Sequence, residues 1–104
     1  MSNLDTRLAL LKTDLGLIRI SEEQKTFLEA ILTTSASAIS REGITLTDGD
    51  IECDALVAMY AAWVYRRRAE PGNTSFSVGM PRYLRSQLNN MLMSQKMAVS
   101  ENDI

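Results

Sequence analysis

An all-α fold, a small bundle of about four helices with a long central third one and a short loop before the last, is what three features of the chain predict. Apolar residues recur at three-to-four spacing in separate stretches of the 104-residue sequence. Those stretches are punctuated by residues that start and stop helices. The one segment with strand-like alternation, Ile44-Thr-Leu-Thr47, is too short for more than an extended link or a single edge strand.

The first helix follows from Leu4, Leu8, Leu11 and Leu15, which fall on one helical face, with Asn3 placed to cap its start and Gly16 to end it. The second opens at Ser21-Glu-Glu-Gln24. There the serine hydroxyl accepts from the amide three residues on and the glutamine reaches back, a capping box. Phe27, Leu28, Ile31, Leu32, Ala38 and Ile39 continue as a stripe interrupted only by small Thr and Ser residues, and Gly43 supplies the left-handed residue that ends such a helix. The small residues predict close packing against another element.

The third helix starts near Asp48 to Asp50 and runs to about Ala69, long enough at roughly 1.5 Å per residue to span about 30 Å. Its middle, Ala55 to Tyr65, is apolar almost all the way round. Eleven residues are far short of the about twenty that cross a bilayer, so the run reads as a buried helix. A helix with no polar face must be covered on most sides, and three short partners barely suffice, a first hint of an oligomer. Residues 71 to 79 are rich in turn formers and read as a loop, with Phe76 and Val78 as its apolar exceptions. The last helix opens at Met80-Pro81 and continues through Leu84, Leu88, Met91 and Leu92 to about Lys96, so residues 1–96 form one helical domain and 97–104 a polar, frayed tail.

Composition limits what such a bundle does. A net charge of -2 and a pI near 5.0 are poor material for binding a phosphate backbone. The single Cys53 points to a reducing cytosol, and the charge-mixed start Met1-Ser-Asn-Leu-Asp-Thr-Arg-Leu8 carries no apolar signal segment. With no histidine and one cysteine, neither a nucleophile–base pair nor a zinc site assembles in the usual way, so the expectation is no enzyme, no cofactor and no metal. Asp48, Asp50, Glu52 and Asp54 alternate like the start of a calcium loop, but Cys53 stands where such a loop needs glycine and Met59 where it needs glutamate. They read instead as an acidic first turn that caps the third helix and complements its dipole.

Arg66, Arg67 and Arg68 fan out by about 100° each and cannot share a face. They complement the carboxyl end of the helix, and Arg66 stands four residues from Glu70. Arg82 and Arg85 do share a face, so five positive charges flank the 71–79 loop of an acidic chain. That arrangement suits an acidic protein partner or a second copy better than free DNA.

The order of these elements, Ala58-Met-Tyr-Ala-Ala-Trp63-Val-Tyr65-Arg66-Arg-Arg68, a loop, then Met80-Pro81-Arg-Tyr-Leu84-Arg-Ser-Gln-Leu88-Asn-Asn90, resembles the head-tail connector family of tailed bacteriophages. The resemblance runs from about Leu4 to Lys96 and rests on order, length and pattern. It implies a virion structural protein: a small adaptor that binds beneath the portal protein as a homo-oligomeric ring, dodecameric on the portal, and offers its far side to the next head-completion or tail protein. DNA is then only passing cargo and no membrane is involved. The place is the head-tail interface of the virion, after assembly in the host cytoplasm. On this reading Arg66, Arg67, Arg68, Phe76, Met80, Pro81, Arg82 and Arg85 line contacts to neighbours or portal, and Tyr60 and Trp63 anchor the core. The rival is a helical DNA-binding regulator or small DNA-packaging protein that uses the third and fourth helices as a helix-turn-helix. The connection between them is far longer than the about four residues of such a turn.

Overall fold

The computed structural model describes residues 3–69 and 80–102, with side chains described for 3–67 and 80–97. It contains four helices, α1 (Asn3–Leu15), α2 (Glu22–Arg41), α3 (Ile51–Ala69) and α4 (Arg82–Asn102), and no strand among the described residues. The all-α bundle predicted from the sequence is therefore the fold. Helix α3 is its centre and touches each of the other three.

Local chemistry sets most of the boundaries. Leu8 and Leu11 of α1 are buried, with Leu4 and Leu15 packed beside them. At its end Gly16 takes φ +72°, its N–H donates to the Thr13 carbonyl at 3.2 Å, and Leu17 N–H donates to the Lys12 carbonyl at 2.8 Å. These two bonds satisfy carbonyls that a helix end otherwise leaves open. The capping box of α2 is formed: Gln24 N–H donates to Ser21 Oγ at 3.1 Å and Ser21 N–H to Gln24 Oε1 at 2.9 Å. Gly43, at φ +100°, closes the helix with its N–H on the Ser40 carbonyl.

Asn3 does not cap α1 as its type predicts. It is already helical, and its side chain reaches across the fold, donating to Asp48 Oδ1 at 2.6 Å and accepting from Gly49 N–H at 3.2 Å. A tertiary partner has outcompeted the local one, and the start of α1 is tied to the turn before α3. The link itself, residues 44–47, forms no strand. Ile44 is buried, and the Gln95 side chain of α4 supplies what a neighbouring strand would: its Oε1 accepts from Thr45 N–H and its Nε2 donates to the Thr45 carbonyl, both at 2.8 Å.

Helix α3 begins where Asp50 Oδ1 accepts from Glu52 N–H at 2.9 Å, an N-cap in the acidic turn. It buries Cys53, Leu56, Val57, Ala58, Ala61 and Ala62. Its Asp54 is also buried, and Arg7 of α1 meets it with Nε 2.8 Å from Oδ1, the two side chains being 13 % and 4 % exposed. Leu84 and Leu88 of α4 are fully buried against the rest. Helix α4 continues to Asn102, where Lys96 was the expected end and 97–104 the expected tail. The added turn holds neither Gly nor Pro, and Met97, Ala98 and Glu101 are good helix formers.

The molecule measures 50 × 37 × 19 Å, and its radius of gyration of 14.9 Å exceeds the about 13 Å of a compact chain of this length. It is a slab rather than a ball, which leaves much of each helix near a surface. Among the described residues no helix is long and apolar enough to cross a membrane.

Candidate functional site

The arginines singled out by the sequence are largely engaged within the chain. Arg66 Nη2 donates to the Asp14 carbonyl at 2.9 Å and lies 3.3 Å from Asp14 Oδ1, tying the end of α3 to the end of α1. Arg85 grips Glu42 through both oxygens, at 2.6 and 3.5 Å, and so fixes α4 to the end of α2. Both pairs are substantially exposed, at 49 %/43 % and 44 %/30 %, and such pairs are worth about 0 to 1 kcal/mol. Arg67 lies over the Trp63 ring, 4.9 Å from its centroid. Arg82 is exposed, and Met80 and Pro81 are partly buried at the start of α4. The side chain of Arg68, Phe76, and Glu70 as the expected mate of Arg66 lie outside the described residues. Three of the five charges, those of Arg66, Arg67 and Arg85, therefore turn to three different neighbours within the chain.

Tyr60 and Trp63 were expected to anchor the core; they are partly buried and pack against its flank. The reason is the small-residue face of α3. Val57, Ala61 and Ala58 turn inward and let α1 and α2 approach closely, which rotates Tyr60 and Trp63 to the side. There the two rings meet edge to face, with centroids 5.4 Å apart and planes at 88°. Trp63→Ala is accordingly expected to cost roughly the 0.5 to 3 kcal/mol of an ordinary substitution. A core tryptophan costs roughly 3 to 5 kcal/mol. Urea denaturation measures the difference.

These side chains form one wall of an open groove between α2 and α3. The α3 wall is Tyr60, Trp63, Val64 and Arg67; the α2 wall is Phe27 and the small residues Ala30, Thr34 and Ala38. Its volume is about 450 Å³. The hydroxyl of Thr34 is turned back onto the Ala30 carbonyl at 2.8 Å, so this wall presents little free polarity. Ser35 lines the floor, 1 % exposed, and its Oγ has no hydrogen-bond partner among the described residues.

A second surface lies on α4. Met93 and Met97 are 58 % and 59 % exposed and four residues apart, hence on one helical face. Helix α4 runs antiparallel to α3: Tyr83 lies beside Met59 and Arg66, whereas Ser94 lies beside Glu52 at the other end. Past Ser94 the helix has reached the start of α3 and continues beyond it.

The acidic turn before and within α3 is divided among separate tasks: Asp48 holds Asn3, Asp50 caps α3, and Asp54 holds Arg7. No group of three His, Cys, Asp or Glu among the described residues is placed to hold a metal ion. Burial pushes the Cys53 thiol above its ordinary pKa, and the Asp50 and Asp54 carboxylates push it the same way against a hydrogen bond from the Thr47 backbone. It is held as a buried thiol rather than as the thiolate a nucleophile requires.

Sequence reasoning passed over the groove and the methionine face. Their traces are the run of small residues at 33–38 and the spacing of Met93 and Met97 beyond the last core leucine. No protein-family model, no curated protein and no solved structure matches the chain.

Proposed function

We propose that this chain is a head-tail connector of a tailed bacteriophage: a structural adaptor that binds the portal vertex as a ring around the DNA channel and joins the capsid to the tail or the next head-completion protein. The observation that carries the reading is the flank of α3 that no other described element covers, where Tyr60, Trp63 and Arg67 of the Tyr-Ala-Ala-Trp-Val-Tyr-Arg pattern stand in an open groove. An aromatic and arginine cluster of this kind is what protein interfaces use as anchors. The slab shape supports it, since a flat subunit has wide faces to give to neighbours. So does the net charge of -2, which leaves DNA free to pass without the many phosphate contacts that hold it.

The test is negative-stain microscopy of the protein at high concentration, alone and mixed with a candidate portal. Rings, or a new layer of density beneath the portal, are the expected result. Arg82→Glu reverses an exposed charge at the start of α4 without touching the core, and it is expected to weaken portal binding while the far-ultraviolet circular dichroism stays unchanged. Absence of any added density in the mixture overturns the reading. Salt-sensitive binding to duplex DNA in a gel-shift titration would favour a DNA-binding regulator instead.

A further inference from the structure

We infer that the α2–α3 groove receives the methionine-bearing end of α4 from a second copy of the chain, in a head-to-tail contact. The inference rests on the ring reading above and names the surfaces that would build it.

The two surfaces match in pattern and spacing. Along its α3 wall the groove reads Tyr60, Trp63 with Val64, then Arg67: apolar, apolar, basic, over seven residue steps and about 10 Å. One face of α4 carries the exposed Met93 and Met97, and the sequence sets Glu101 four residues further on: apolar, apolar, acidic, over about 12 Å of helix. From Met97 onward the sequence carries Glu101 and Asp103 and no basic residue, whereas Arg67 at the groove is followed directly by Arg68. Laid parallel to α3, the helix end sets methionines on the Tyr60 and Trp63 rings and brings its acidic sequence to the Arg67 end of the groove. Thioethers pack well against ring edges. On the facing wall Ala30, Thr34 and Ala38 are small enough for a third helix to approach closely.

Among the described residues, the chain's own α4 end does not reach the groove. Trp63 lies about 18 Å along α3 from Ile51, and α4 leaves the body at the Ile51 end, running away from the groove. The donor is therefore another copy. Groove and helix end are different surfaces, so each copy can give one and receive one, and such a contact propagates until rotation closes it.

Sedimentation analysis of the full chain over a range of concentrations tests this without a portal. Two variants block the contact from opposite sides. Met93→Asp with Met97→Asp changes exposed residues and spoils the helix end; Thr34→Arg places a long cation in the groove. Circular dichroism confirms that each variant is folded. The wild type is expected to associate, and each blocked variant to lose at least about tenfold in association constant. Mixing the two restores one intact groove and one intact helix end, so the mixture is expected to stop at a one-to-one heterodimer. A wild type that stays monomeric at high concentration overturns the contact, as does association undiminished in both variants, or a mixture that forms no heterodimer. Failure here with a portal layer still seen by microscopy would remove this contact and leave the connector reading standing. Loss of the portal layer with the heterodimer intact would do the reverse.

Discussion

Replacing Arg7 with methionine is expected to lower the unfolding free energy by about 3 to 5 kcal/mol, although the residue lies near the start of the chain and carries a charge of the kind usually found at surfaces. The cause is Asp54. Its side chain is 4 % exposed, and the 2.8 Å contact with Arg7 Nε is the ion pair that compensates its burial. Methionine keeps much of the arginine's bulk but leaves a carboxylate in the core without a partner. Urea unfolding at neutral pH reads the loss as a lower midpoint at unchanged slope. Replacing both residues, Arg7→Met with Asp54→Leu, is expected to recover most or all of the stability, because a buried pair and a well-packed apolar pair of similar volume are often equivalent. A single variant within about 0.5 kcal/mol of wild type, the ordinary range for surface substitutions, would show that water reaches the pair in solution.

Leu84→Ala is expected to cost about 2 to 5 kcal/mol and to loosen α4 ahead of the other helices. Leu84 and Leu88 are 0 % and 1 % exposed and are the fully buried side chains of this helix among the described residues. Further ties are the partly buried Met91 and Leu92 packed against the core, the Arg85–Glu42 pair and the Gln95–Thr45 bonds. Hydrogen exchange followed by mass spectrometry should show amides of 82–96 exchanging faster in the variant, while α1, α2 and α3 lose only the protection that the global change removes. Equal acceleration everywhere would mean that α4 does not open as a separate unit.

What was legible in the sequence was what short-range chemistry decides. The Leu8 and Leu11 stripe, the Ser21–Gln24 box and the glycines at 16 and 43 all act through residues within a few positions of one another, and each is where its pattern placed it. Asn3, Asp54 and Gln95 were not legible, because their partners stand 45 to 50 residues away and no spacing announces them. Trp63 was misplaced for a different reason. On a helix apolar nearly all round, size suggests that the largest ring is the core, but alanines set how closely neighbours approach and so which side is inside. The same effect hid the groove, since it consists of what the close packing at Ala58 and Ala61 pushed outward. Helix α4 runs past Lys96 because a polar composition does not by itself unwind a helix: Met97, Ala98 and Glu101 are good helix formers.

The side-chain amide of Gln95 lies only two residues before Met97, and it grips the backbone of the link that joins α2 to α3. Any pull on the projecting end of α4 thus enters the body at that link, where Ile44 is embedded, before it reaches Leu88 and Leu84. The helix is a lever pinned near its working end. Tension there loads two hydrogen bonds to one residue together, and it passes into the link between α2 and α3 before it can peel α4 from its leucine contacts.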